Sequence, residues 1–310
     1  MGFLRRLGRG PKPGPGWAGT MDARAFGRFE TVLDTEMVRR GWAYRRRDDG
    51  LYVESGEIPD GRQVYGLSNL VQLCAQTDPA DWPETIRHHF DTMRTVQALG
   101  DDLFESFDRV RPNLRLRVLP TDDAFVESMK LVRYRIAHNL MAVLVLDLPT
   151  TVASIPSDRT GDWPPMDELF RIALENQRAE LPPRREVVDA NGAELVVEMG
   201  ESFFVASRLL ILPEVVDLGG ADGAIVAIPT RHSLLAHAIR DKSVIQALST
   251  LAILARETAA AGPGAISSAV YWWHAGALTE IPVTVAQDNG VSITSPDEFV
   301  ELLDEVASRH

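Results

Sequence analysis

Residues that could do chemistry gather most densely at Thr230-Arg231-His232-Ser233, where a guanidinium and an imidazole sit between two hydroxyls. The run follows Pro229 and precedes Leu234-Leu235-Ala236-His237-Ala238-Ile239. Read as the start of a helix with Thr230 as N-cap, it leaves first-turn amides pointing outward at the positive end of the helix dipole. Arg231 adds a fork of donors, and the chemistry expected is capture of an anion. Arg208 and His274, from separate segments, are the further candidates to join Thr230, Arg231, His232 and Ser233 in one pocket. The competing reading is that Thr230 and Ser233 only cap, while Arg231 and His232 face water.

Other reactive side chains form weaker patterns. His88 and His89 are adjacent on a helix and point about 100° apart, so they cannot readily grip one metal. His232 and His237 are five apart and share no helical face. Ser207 lies on an apolar face and reads as a small packing residue. Trp272 and Trp273 beside His274 could line a pocket, but an aromatic pair in a hairpin more commonly divides between core and neighbour. Asp147 ends an apolar strand without a second acid at fixed spacing. The sequence carries no Gly-x-Ser-x-Gly elbow, P-loop, dinucleotide fingerprint, zinc spacing or calcium loop. No catalytic residue, metal or cofactor is therefore assigned.

The elements that must position this chemistry are built around residues 202–239. Phe203, Phe204, Ser207, Leu210 and Ile211 recur at helical spacing, and Pro213 is expected to end that helix. Gly219, Gly220 and Gly223 around Asp222 make a turn. Ala224 to Ile228 is a continuous apolar run of strand length, the pattern of a strand covered on both faces. It should deliver the chain into the helix at Thr230.

Ala206-Ser207-Arg208-Leu209-Leu210, a strand ending Ile228-Pro229 and then Leu234-Leu235 together resemble the bacterial YtpQ-like proteins of unknown function. The similarity runs patchily from about Lys130 to Ala286 and takes in Val145-Leu146-Asp147-Leu148 and the segment Tyr271 to Val283. The chain departs from the family pattern at His232, where the family has an acid, and at Phe204 and Val205, where it has polar residues. The resemblance implies a shared fold and brings no activity with it.

The chain has 310 residues, ample for a core, with 45% apolar and 25% charged residues, the proportions of an ordinary globular protein. A formal charge of −12 argues against nucleic acid, whose backbone is bound by clustered Lys and Arg. The one cysteine, Cys74, cannot form an internal disulfide, which fits a reducing cytoplasm. No run reaches the ~18 uninterrupted apolar residues of a membrane span. The N-terminus, though basic, lacks the apolar core of a secretory signal.

In chain order, residues 1–20 are expected to be a basic disordered tail. Residues 21–100 read as an α-β-β-β-α unit: a helix capped by Asp22 that buries Phe26, Phe29, Val32, Leu33, Met37 and Val38, then strands at 43–47, 51–54 and 63–67, then helices at 69–76 and 79–97. Turns are expected at Asp48-Asp49-Gly50 and Pro59-Asp60-Gly61, and a linker at Gly100-Asp101-Asp102. Residues 101–310 read as a second α+β domain. Its strands fall at 114–119, 130–137, 140–148 and 152–155, followed by a helix through Met166, Leu169, Phe170, Ala173 and Leu174. A hairpin about Asn191-Gly192, a long helix capped by Asp241 and ended by Gly262-Pro263-Gly264, a hairpin about His274-Ala275-Gly276 and a terminal helix after Pro296 complete it. The fold class is α+β: mostly antiparallel sheets with helices packed on one face, in two successive units. The function expected is a non-catalytic binding or interaction module with a protein partner; the alternative is an enzyme or anion-binding protein using Arg231 and His232 at a helix N-terminus.

Overall fold

The computed structural model describes residues 21–47, 50–54, 63–98, 104, 106–122, 126, 130–148, 151–261, 264–285, 291–293 and 296–308. The expected tail at 1–20, the turns at Asp48-Asp49 and Pro59-Asp60-Gly61, the linker at Gly100-Asp101-Asp102 and the helix stop at Gly262-Pro263 lie outside the described residues. The fold is α+β with antiparallel pairing throughout. The chain divides into two units between Thr95 and Val96, a little before the expected boundary.

In the first unit, Asp22 caps the helix Ala23–Arg40 by accepting from the amides of Arg24 and Ala25 at 2.8 Å, and Gly41 closes it in the left-handed region (φ 68°). Its inner face carries Phe29, Leu33 and Met37 into a core shared with Leu70, Val71, Cys74, Trp82, Ile86 and Phe90. Val38 was expected on that face but is 78% exposed, because it lies next to Met37 and 100° round the helix. Strands β1 (Ala43–Arg47), β2 (Gly50–Glu54) and β3 (Gln63–Gly66) form an antiparallel meander. Helices Ser68–Ala75 and Trp82–Ala98 follow.

The second unit holds two main sheets. Strands β4 (Leu114–Pro120), β5 (Arg133–Arg135), β6 (Leu140–Leu148) and β7 (Thr151–Ser154) form the first. Here β6 pairs with β4 on one side and with β5 and β7 in succession on the other. The helix Met166–Arg178 packs Leu169, Ile172 and Ala173 on one face of this sheet. The outer edge of β4 is closed by side chains that imitate a strand. Gln177 accepts from the Leu116 amide at 3.1 Å and donates to its carbonyl at 3.0 Å. Asn176 donates to Leu114 O at 3.0 Å, and Ser207 Oγ accepts from the Val118 amide at 3.1 Å. Ser207 is thus an edge cap rather than a packing residue.

The second sheet joins β8 (Arg184–Ala190), β9 (Ala193–Met199), β10 (Ala224–Ala227), β11 (Ser233–Ala238), β12 (Val270–His274) and β13 (Ala277–Ile281) in the order β13-β12-β10-β11-β9-β8. A pair of short strands, β14 (Val283–Val285) and β15 (Val291–Ile293), stands apart from it. The run Ala224–Ala227 is a central strand, as its unbroken hydrophobicity requires. Ile225 and Ala227 face one core with the helices Ser243–Ala261 and Asp297–Ser308. Ala224, Val226 and Ile228 face another with Leu209, Leu212 and Tyr271. The helix Ser243–Ala261 is long and apolar enough to cross a membrane by length and composition; here its buried face, Val244, Leu248, Leu251 and Ala255, lies on this sheet.

Two local expectations are corrected. Residues after Thr230 form strand β11, not a helix. Leu and Ala suit a helix intrinsically, but Leu235 faces one core while Leu234 and Ala236 face the other, so both sides of an extended strand are paid for by burial. Pro213 does not end a helix. The chain runs as a 3-10 segment over Ala206–Ile211, and Pro213 opens the single α-turn Leu212–Val215, where its missing N–H is harmless.

Candidate functional site

Because β11 is a strand, residues 228–232 are the connection between two neighbouring strands. The helix-end site therefore does not form. Thr230 and Ser233 are buried, and their hydroxyls lie 2.9 Å apart; Thr230 Oγ1 also accepts from the His232 amide at 3.3 Å. These hydroxyls brace the turn. Backbone bonds anchor it on both sides: Arg231 N donates to Gly264 O at 2.9 Å, Ala206 N to Arg231 O at 3.2 Å, and Gly200 N to His232 O at 3.2 Å.

The turn presents Arg231 and His232. Arg231 Nε donates to His232 Nε2 at 2.8 Å, and its guanidinium lies over the Phe203 ring at 4.5 Å from the centroid. His232 Nδ1 stands 3.1 Å from Gly200 O. Since Nε2 accepts from a cation, the ring is the neutral Nδ1–H tautomer and Nδ1 donates to the carbonyl. Burial, the Arg231 guanidinium and then Arg117 hold the imidazole below its usual pKa, outweighing bonds to the backbone of Gly200 and Ser202. Gly264 leaves space for Arg231, since a Cβ there would come within 2.9 Å of the arginine Cδ and Nε.

Arg231 is the electrostatic anomaly. It is half-buried, and burial with repulsion from Arg117 pulls its pKa down to about 10. No carboxylate among the described residues pairs with it. Other partly withdrawn arginines do have one: Arg40 meets Glu36 and Asp91, and Arg115 meets Glu180.

The remaining candidates separate. Arg208 donates through Nε to Glu198 Oε2 at 2.7 Å, while Arg185 donates to Oε1 of the same fully buried carboxylate through Nε at 3.0 Å and Nη2 at 2.7 Å. Arg208 thus belongs to a structural triad. His274 stands beyond the other end of β10: Ala224 is opposite Trp273, so some seven residues of extended chain, roughly 20 Å at the ~3.3 Å rise per residue, separate it from Thr230. It stacks on Trp272 at 4.9 Å and takes no part in the site.

Two arrangements were invisible in the linear chain. Asp147 has a second acid near it in space: burial raises its pKa, Arg115 opposes this, and Glu180 adds to it. His237 Nδ1 lies 2.8 Å from Glu194 O, so it donates there, and Nε2 faces Ser243 Oγ at 3.4 Å. That is the layout of a base and hydroxyl, but the Ser243 amide bonds to Asp241 Oδ1 at 2.8 Å and the Val244 amide to Asp241 O at 3.3 Å, so these first-turn donors are already used. The group caps its helix. A cleft of about 280 Å³ lined by Arg256, Glu280 and Val283 among others contains none of these residues. No group of three or more His, Cys, Asp or Glu among the described residues could hold a metal ion. No family model, curated protein or solved structure matches the chain.

Proposed function

We propose that the protein is a non-catalytic binding module that takes an anionic group, a carboxylate or phosphate, on Arg231. The observation that carries this reading is a guanidinium partly withdrawn from water with no carboxylate among the described residues to compensate it. A charge in such a place is costly, and an incoming anion would supply the missing partner through the terminal nitrogens that Arg231 does not use on His232. Arg117 adds positive potential of the same sign. Binding without chemistry is favoured because both ring nitrogens of His232 are engaged, so the site offers no free base.

Calorimetric titration with inorganic phosphate and with succinate at low ionic strength tests the reading. Saturable binding is expected for at least one of them, weakening as salt screens the charges. Arg231→Met should reduce the affinity at least tenfold while leaving the circular-dichroism spectrum unchanged. Equal heats for wild type and Arg231→Met, or none for either anion, would refute it.

A further inference from the structure

The two sheets of the second unit treat their open edges differently. The edge of β4 is closed by Asn176, Gln177 and Ser207. Strand β8 is the last of the six-stranded sheet, and among the described residues no strand pairs with its outer side. It is also apolar at its centre: Val187 is 61% exposed, Val188 is exposed beside it, and the nearby Leu181 is 94% exposed.

Hairpin geometry settles which backbone groups face outward. Asn191 and Gly192 have φ of 58° and 90°, a two-residue turn with both central residues in the left-handed region. Ala190 and Ala193 flank that turn and are therefore a hydrogen-bonded pair. Counting back by twos, Val188, Glu186 and Arg184 bond to β9. Arg185, Val187 and Asp189 turn their N–H and C=O groups to the open edge.

We infer that this edge pairs antiparallel with β8 of a second copy of the chain. Only outward-facing residues can be hydrogen-bonded partners, which limits the registers. Setting Val187 opposite its own copy brings Arg185 opposite Asp189 of the partner, and Asp189 opposite Arg185, so both charges meet their opposites around a valine pair. Shifting by one allowed step either way places a charge against valine and separates Arg185 from the acid. Both side chains have capacity left. Arg185 uses Nε and Nη2 on Glu198, and Asp189 uses Oδ1 on the Gly192 amide, which leaves Arg185 Nη1 and Asp189 Oδ2. Edge charges commonly block such pairing; in this register they match. The result is one continuous sheet across two protomers.

Sedimentation equilibrium of the full chain should give twice the chain mass. Val187→Lys and Val187→Glu, on an exposed position, should each halve that mass by setting like charges across the two-fold axis, and mixing them should restore the dimer. Val187→Cys should cross-link to itself on mild oxidation, since a hydrogen-bonded antiparallel pair sets its Cα atoms ~5.5 Å apart, within disulfide range; the native cysteine, Cys74, is buried. A monomeric wild type would overturn self-pairing and leave the edge to a foreign strand. A dimer that survives both charged variants, or one in which the cysteine does not cross-link, would also overturn it.

Discussion

Glu198→Gln tests whether the Arg185–Glu198–Arg208 triad holds the second unit together. Glu198 is fully buried on β9 and accepts three charge-assisted bonds, two from Arg185 on Oε1 and one from Arg208 on Oε2. Glutamine keeps the shape but turns one oxygen into a donor, which must then face an arginine. The side chain of Arg185 is 40% exposed and can swing into water; that of Arg208 is 13% exposed and cannot. The amide should therefore keep its oxygen on Arg208 and release Arg185. Removing one partner of a buried ion pair costs about 3–5 kcal/mol, and the bond retained places this change at about 2–3 kcal/mol. For a unit spanning Val96–His310, that lowers Tm by roughly 4–12 °C at about 2–4 °C per kcal/mol. Scanning calorimetry measures it. In the cycle with Arg208→Met, the double variant should be more stable than the sum of the singles by at least about 1 kcal/mol, as expected for contacting charges. A loss within about 0.5 kcal/mol of zero, the range of ordinary surface changes, or strict additivity in the cycle, would refute the reasoning.

Gln177→Leu removes the cap on Leu116 and orphans a buried amide and carbonyl, at about 1–3 kcal/mol each; urea unfolding should show a loss of about 2–6 kcal/mol, and one under about 1 would mean that water or another group replaces the amide. The pH dependence of His232 has a definite sign. Its folded pKa lies below the ordinary 6.5 because of burial and Arg231, so the unfolded chain takes up a proton first as pH falls. Stability should therefore decline as pH drops below about 6.5, and His232→Gln should decline less; matched urea midpoints from pH 7.5 to 5 compare the two, and parallel curves would remove His232 from this role.

Strand and helix positions were largely legible in the residue order, for reasons visible in particular segments. Ala224–Ala227 could be read as a doubly covered strand because only a strand buried on both faces tolerates an unbroken apolar run of that length. Asp22 and Asp241 could be read as caps because a short acceptor before an apolar-periodic segment has one local use. Asn191-Gly192 could be read as a turn because few other residue pairs take two positive φ angles cheaply. These are local rules, and local sequence satisfies them.

What the chain order did not contain was which residues would meet across it. Ser233–Ala238 has the composition of a helix and becomes a strand because β9 and β10 offer it bonds on both sides. Arg208 appeared as free a cation as Arg231; the fold gave it Glu198 and set no acid among the described residues against Arg231. Ser207 looked like a packing residue until β4 arrived with an unpaired backbone amide. Burial, counter-charge and edge closure are properties of juxtaposition. Periodicity constrains which face of an element is inward, but only the packed structure determines what that face meets.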